Sequence, residues 1–333
     1  GFKYEGGYVE GGSNIGVNPA TGQVHVEIGG LVMPETQEAK RICKEDLNEV
    51  ITAFVTGEPL IWKYRAPRIL VGICAGVAMA VSGCLLQSAL RNPLAAPDTV
   101  GITSGGGLAA VAVLMGAGAL PAHLLTFIAF IGALAGTGLV LLLAGRGASD
   151  PVRLPLTGVA VSFGLGAITE LLLVRAAPGA GAAMTWLKGS LYARSLGDAT
   201  IVAPFILLAL TAAMVVAKHL DMLALDDSTM AGIGVNAKMW RLIAIALAVI
   251  LGAAGVAAAG VLGFAGLIVP HAARLMVGSN LRRQMPVAAL GGAVLVTVCD
   301  TFGRWAFAPT EIPVGALIAL IGVILLIGIV KKN

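Results

Sequence analysis

The stretch Arg91–Gly107, "RNPLAAPDTVGITSGGG", interrupts an otherwise apolar chain between runs at 69–90 and 103–118. Asn92-Pro93 and Ala96-Pro97 cannot continue a helix, because each proline lacks an N–H and pushes its predecessor out of the helical region. Thr103 and Ser104 are suited to cap the helix that follows, by accepting from its free N–H groups. Gly105, Gly106 and Gly107 would let that helix start pressed against a neighbour. Taken alone, the stretch is a rigid turn joining two apolar helices. The flanking runs say what kind of helices these are.

Of 333 residues, 57% are hydrophobic and 12% charged, and the mean hydropathy is +0.91. A soluble core of this length cannot absorb so much apolar surface, so the excess must face lipid. Apolar runs recur at the length that crosses a hydrocarbon layer of about 30 Å as helix. Nine are read, near 69–90, 103–118, 121–144, 155–175, 200–218, 239–261, 262–277, 286–307 and 312–330. The seventh is short enough to merge with its neighbour. The 45 glycines and the abundant alanine suit close helix contact in lipid. The expected class is all-α, a polytopic membrane helix bundle, with residues 61–333 forming the transmembrane domain.

Basic residues in short loops set the orientation. With the break at 91–98 in the cytoplasm, the inner side collects eleven: Arg91, Arg146, Arg153, Lys218, Lys238, Arg241, Arg274, Arg282, Arg283, Lys331 and Lys332. The outer loops keep four, Arg175, Lys188, Arg194 and Arg304. The net charge of +4 is therefore largely a topology signal. No basic stripe alternates with aromatics, so nucleic acid is not a partner. The expected location is the cytoplasmic (inner) membrane, in many passes.

Residues 1–60 differ. The beginning is Gly-rich, polar and strand-like ("GQVHVEIGG"), and 35–55 fits one amphipathic helix. An odd number of spans with a cytoplasmic C-terminus places this segment outside and implies a tenth span upstream of residue 1. Cys43, Cys74, Cys84 and Cys299 form no CxxC or Cys/His cluster, so neither a metal nor a disulfide framework is expected. No cofactor is implied.

The longest inner loop is Lys218–Arg241, "KHLDMLALDDSTMAGIGVNAKMWR". Asp226 or Ser228 can cap a short helix there, Met230 and Ala231 give it an apolar side, and Gly232 and Gly234 stop it. The chain has no G-x-x-x-x-G-K-[ST] loop and cannot cradle ATP phosphates by that route.

Five stretches together resemble one family: "RAPR" (65–68), "SGCLLQSALRNPLAAPDTVGITSGGGLAAV" (82–111), "GFAGLIVPHAARL" (263–275), "CDTFGR" (299–304) and "TEIPVG" (310–315). In order and spacing they look like the permease subunits of ABC importers for ferric siderophores, haem and vitamin B12. The resemblance covers about residues 42–333 and leaves Gly1–Val32 outside. It implies ten spans, a homodimer or paired half-permease, two cytoplasmic ATPase subunits and an extracytoplasmic substrate-binding protein. It also implies that Asp226, Asp227, Ser228, Thr229, Met230, Ala231, Gly232, Ile233, Gly234 and Val235 form the coupling segment against the ATPase. Arg65, Arg68 and Arg304 would meet carboxylates of the binding protein, for which arginine's bidentate fork is suited. Snorkelling at the membrane interface is the plainer reading of these arginines. For Arg304, so is an i,i+4 pair with Asp300.

Ionisable groups inside a span are functional candidates by default. Glu170 lies in the 155–175 run, which by resemblance lines the path. Asp300 reads as structural, held by Arg304. Glu311 reads as a helix cap before Ile312-Pro313. Arg91, Asn92, Pro93, Pro97 and Gly105–Gly107 are the structural motif of the break. His271 reads as a packing residue rather than a haem ligand. "MTWLKGSLYARSLGD" (184–198) looks most like ferric-siderophore members, and ferric siderophore is favoured over haem and over cobalamin. An ion-coupled secondary transporter would call for paired carboxylates or a buried cation site near mid-membrane, and Glu170 is thin support. No HExxH, GxSxG or paired His/Asp cluster supports an enzyme.

Overall fold

The computed structural model describes residues 8–9, 13–17, 24–28, 31–34, 65–116, 122–175, 180–192, 194–306 and 311–332. Its contacts divide into two units, Gly1–Trp62 and Lys63–Asn333. The first holds an antiparallel meander in the order β1 (Tyr8–Val9), β2 (Ser13–Val17), β3 (Val24–Ile28) and β4 (Leu31–Pro34). β2 and β3 pair from Ser13↔Ile28 to Val17↔Val24, and β3 meets β4 from Ile28↔Leu31 to His25↔Pro34. The all-α expectation thus describes the second unit, and the strand-like reading of "GQVHVEIGG" falls on β3. The amphipathic helix expected at 35–55, and Cys43, lie outside the described residues.

The second unit is helical. In chain order its helices are α1 (Ala66–Ala89), α2 (Ile102–Gly116), α3 (Ala122–Ala144), α4 (Arg153–Arg175), α5 (Ala180–Leu187), α6 (Leu196–Asp221), α7 (Asp227–Gly232), α8 (Ala237–Ala259), α9 (Ala265–Val277), α10 (Leu281–Trp305) and α11 (Val314–Lys332). Every apolar run of the sequence coincides with one of them. Among the described residues six helices are long and apolar enough to cross a membrane, and Ile102–Gly116, Ala265–Val277 and Val314–Ile324 are shorter apolar helical stretches. The 262–277 run does not merge with its neighbour. Gly260 at φ 76° and Phe264 at φ 65° turn the chain between α8 and α9.

α1 is the axis of this unit. It packs along α8 and α10 and also touches α6 and α9. The apolar windows of α1 and α8 are each 72% buried, that of α4 only 17%, which separates core helices from peripheral ones. Small residues make this packing possible. A Cβ on Gly76 would collide with the Gly292 carbonyl of α10, and one on Gly83 with the Gly266 carbonyl of α9. Gly266 is four residues before Pro270, which has no N–H to offer that carbonyl. The freed oxygen occupies the space a Gly83 side chain would need, so one helix's missing donor fits another's missing Cβ.

Candidate functional site

α1 carries Arg68 near its start and leads into Arg91 just past its end, so the two arginines mark opposite ends of the bundle. Each lies in a charged cluster.

At the Arg91 end, α6 finishes at Asp221 and a short 3-10 turn, Met222–Ala224, leads into α7. Asp226 caps α7. It accepts from the Thr229 N–H at 3.1 Å, from Thr229 Oγ1 at 2.7 Å, and from the Ser228 hydroxyl. These hydrogen bonds, those from the Ser228 and Thr229 side chains foremost, hold its carboxyl well below the usual carboxylate range. Gly234 takes φ 77° just past the helix, where a side chain would be strained. Asp227 turns to its own chain. Its Oδ1 accepts from Arg91 Nη2 at 2.7 Å and from Arg241 Nη2 at 3.0 Å. Arg241 also donates from Nη1 to the Ser149 carbonyl at 2.9 Å. Arg91 donates from Nε to the Leu223 carbonyl at 2.8 Å and from Nη2 to that of Leu225. The Arg241 hydrogen bond, then the Arg91 pair, lowers the Asp227 carboxyl.

Met230 is fully buried, with Leu223 buried beside the same turn. The expected ATPase-facing apolar side built on Met230 is therefore corrected. A thioether buried inside its own chain is a plug, not a docking surface. Met230 apart, α7 and its exit are exposed from Asp227 to Gly234, with Ile233 57% exposed and Asp227 reaching back to the two arginines.

The break itself is compact. Asn92 Oδ1 accepts from the Leu94 N–H at 2.9 Å, and Pro97–Val100 form a 3-10 turn in which Thr99 Oγ1 donates to the Ala96 carbonyl at 2.8 Å. Gly101, at φ 82°, turns the chain into α2. Thr103 and Ser104 do not cap α2 as expected. They lie inside its first turn, and Ser104 Oγ donates back to the Gly101 carbonyl at 3.2 Å. Gly105 packs on Gly132 and Gly136 of α3, and Gly106 on Val256 of α8.

At the other end, Arg68 is held by two acids. Its Nε and Nη2 donate to Asp300 Oδ2 and Oδ1 at 2.9 and 2.8 Å, a two-pronged pairing, and Nη1 and Nη2 donate to Glu311 at 3.3 and 2.9 Å. The side chains of Arg68 and Asp300 are 14% and 7% exposed. Arg304 approaches the same carboxylate at 3.4 Å. Two expectations change here. Asp300 is held first by Arg68 and only second by Arg304, and Glu311, expected to cap α11, is paired with Arg68. Arg68, largely buried and paired twice, is not presented as a docking cation.

The sequence profile of the FecCD transport family matches residues 33–332. The chain belongs to the FecCD transport family. It is 39% identical over 265 residues, 80% of each chain, to the "Fe(3+)-citrate import system permease protein YfmE" of Bacillus subtilis. It is also 39% identical to the "Fe(3+) dicitrate transport system permease protein FecD" of Escherichia coli, over 79% of this chain and 82% of that one. A solved inward-facing conformation of a metal-chelate type ABC transporter superposes with a TM-score of 0.76 at 28% identity, covering 87% of this chain and 91% of that one. The long apolar helices and the family together make this FecCD chain a multi-pass membrane permease.

The remaining candidates of this FecCD permease fall as follows. Glu170 is exposed on α4, and His271 is half-buried in α9 beside Pro270. Arg65 is half-buried at the start of α1. Among the described residues no three His, Cys, Asp or Glu side chains gather as for a metal ion. Sequence reasoning missed the pairing of Arg91 and Arg241 on Asp227. It also missed a buried network in which Arg194 Nη1 donates to Thr126 Oγ1 at 3.3 Å, and Thr126 Oγ1 to Asp198 Oδ1 at 2.6 Å. Asp198 also closes the capping box of α6 on its N-cap Ser195, accepting from the Ser195 N–H at 2.8 Å. The only trace of that network in the sequence is the Ser195-x-x-Asp198 spacing of a capping box.

Proposed function

We propose that this chain is the transmembrane subunit of an ATP-driven importer that moves a ferric chelate from an extracytoplasmic binding protein into the cytoplasm. The observation that carries the reading is α7, a capped short helix anchored inward by Met230 and Asp227 with its other face open, in a chain lacking a phosphate loop. A helix held that way suits docking into a partner that supplies the hydrolysis. The Arg91 end is then cytoplasmic, in agreement with the basic-residue count. The nine apolar runs cross the inner membrane, and residues 1–60 lie outside. Asp226–Val235 forms the ATPase-coupling segment, with Ile233 and Ala231 in place of Met230 as its outward apolar contacts.

At the outer end, Arg65 and Arg304 meet the binding protein, while Arg68 braces the surface behind them. α4, the most exposed long helix, bears Glu170 toward the translocation path or a second permease copy. Ferric siderophores, carboxylate chelates of the citrate kind included, are the favoured cargo, supported by the two ferric-citrate permeases it resembles. Haem and cobalamin are the alternatives within the family.

The deciding experiment is reconstitution in liposomes with the cognate ATPase and binding protein, measuring uptake of radioiron as ferric citrate. Uptake that requires ATP on the α7 side is expected. Uptake driven by a proton or sodium gradient without ATP, or ATP hydrolysis by the permease alone, overturns the reading.

A further inference from the structure

We propose that Asp227 is a positioning residue. Its carboxylate joins the coupling helix to the break after α1 and to the start of α8, so that movement imposed on α7 reaches both together. The inference rests on the reading of α7 as the ATPase-facing segment.

Three observations carry it. First, α7 has six residues, too few to act as a stiff lever on its own. What it moves depends on what it is tied to. Asp227 and Met230 are both engaged with their own chain, Asp227 through two arginines and Met230 by complete burial, whereas Ala231 and Gly232 are exposed and Ser228 bonds to the Asp226 cap.

Second, one carboxylate gathers three separate pieces of the Arg91 end. It reaches Arg91 at the break, Arg241 in the second turn of α8 and, through Arg241, the Ser149 carbonyl in the turn that leads to α4. Arg241 is nearly fully buried, with its side chain 5% exposed, and among the described residues its hydrogen bonds go only to Asp227 and Ser149. A guanidinium buried to that degree depends on its anion.

Third, Arg91 takes φ 47°, left-handed backbone that a side chain other than glycine seldom adopts. Such a conformation persists where surroundings over-determine it. Its bonds to Leu223, Leu225 and Asp227 do so here. Glycine would fit the turn without strain but could not make these bonds, so the arginine is explained by the contacts it makes.

Without the negative charge, α7 keeps its Asp226 cap and its Met230 plug. It stays folded and able to dock, but it loses its tie to the break and to α8. A purely structural ion pair would change stability alone. A positioning residue changes how much transport each hydrolysed ATP yields.

The test uses the full permease with its ATPase and binding protein in liposomes. Complex assembly by co-purification, ATP hydrolysis and radioiron uptake as ferric citrate are measured for wild type, Asp227→Asn, Asp227→Glu, Arg91→Gln and the Arg91→Gln/Asp227→Asn double variant. Expected for Asp227→Asn are retained assembly, retained hydrolysis and uptake per ATP reduced about tenfold. Asp227→Glu should recover most of that loss. The double variant should be no worse than the poorer single one, since both break the same contact.

Wild-type uptake per ATP in Asp227→Asn overturns the proposal. So does a variant that fails to assemble, because Asp227 would then serve folding rather than positioning. Additive losses in the double variant overturn it as well. The broader reading fails in a different way, through absence of ATP-dependent uptake in the wild-type complex.

Discussion

The two ends of the bundle solve one electrostatic problem in opposite senses. At the Arg68 end one guanidinium bridges two acids, with Arg304 a longer contact on one of them, and at the Arg91 end one carboxylate bridges two guanidiniums. The difference lies in exposure. Arg68 and Asp300 are buried, whereas the Asp227 side chain is 57% exposed. Charges withdrawn from water are costly to leave unpaired, so the buried cluster holds its geometry tightly. The Arg91–Asp227 pair is open to water, contributes little stability and is readily rearranged, while the buried Arg241 holds the other side of the same carboxylate. On the proposed orientation, the bundle is braced at the end assigned to the binding protein and tied, but adjustable, at the end assigned to the ATPase.

The largest expected effect breaks the braced side. Arg68→Ala leaves the buried Asp300 with only its longer contact to Arg304 and should cost about 3 kcal/mol, read as loss of thermal stability in detergent. Asp227→Asn keeps Oδ1 as an acceptor but withdraws the charge beside the buried Arg241, and should cost less, about 1–2 kcal/mol by the same measurement. Equal losses at both ends would erase the contrast.

Next come the close contacts that carry α1 between the two ends. Gly83→Ala forces a methyl into the Gly266 carbonyl and should destabilise by about 1–3 kcal/mol. Gly138→Ala on α3, which meets nothing within 4 Å, should be neutral or stabilising by up to about 1 kcal/mol. A tolerated Gly83→Ala would mean that α1 is free to shift against α9.

A smaller effect sharpens the outer end. Arg65→Glu should slow association with the binding protein at low salt and differ little from wild type at high salt, because rim charges act through steering. Binding kinetics across a salt series decide it.

The smallest concerns acid. The Asp226 and Asp227 carboxyls are held below their ordinary value of 3.8. A lowered folded pKa adds stability that is complete above the unfolded value and lost as pH falls through the folded one. Hydrogen exchange in α7, corrected for its intrinsic pH dependence, should therefore report constant protection from neutral pH down to the ordinary carboxylate value and loosen only below it. Loosening near neutrality would point to another group.

Much of this was legible in the sequence, for definite reasons. Span length and loop charge follow from transfer energetics, so the helices fell where the apolar runs lie. Asp226 as a cap and Gly234 as a stop are local signals, decided within a few residues. The face of α7 was not legible, because Met230 and Ala231 are both apolar and a six-residue helix has no periodicity to separate inside from outside. The partners of Arg68 were hidden for another reason. They lie 232 and 243 residues away, and only the i,i+4 neighbour of Asp300, Arg304, could be proposed from spacing. That local pair exists, but it is the longer contact.

One feature of the fold bears on the surrounding lipid. α9 has 13 residues, a length of about 20 Å. That falls short of a hydrocarbon layer of about 30 Å, and a short hydrophobic length is accommodated by a thinner bilayer. With Leu275 and Met276 exposed near its end, acyl chain length is expected to act on the protein from outside at this helix.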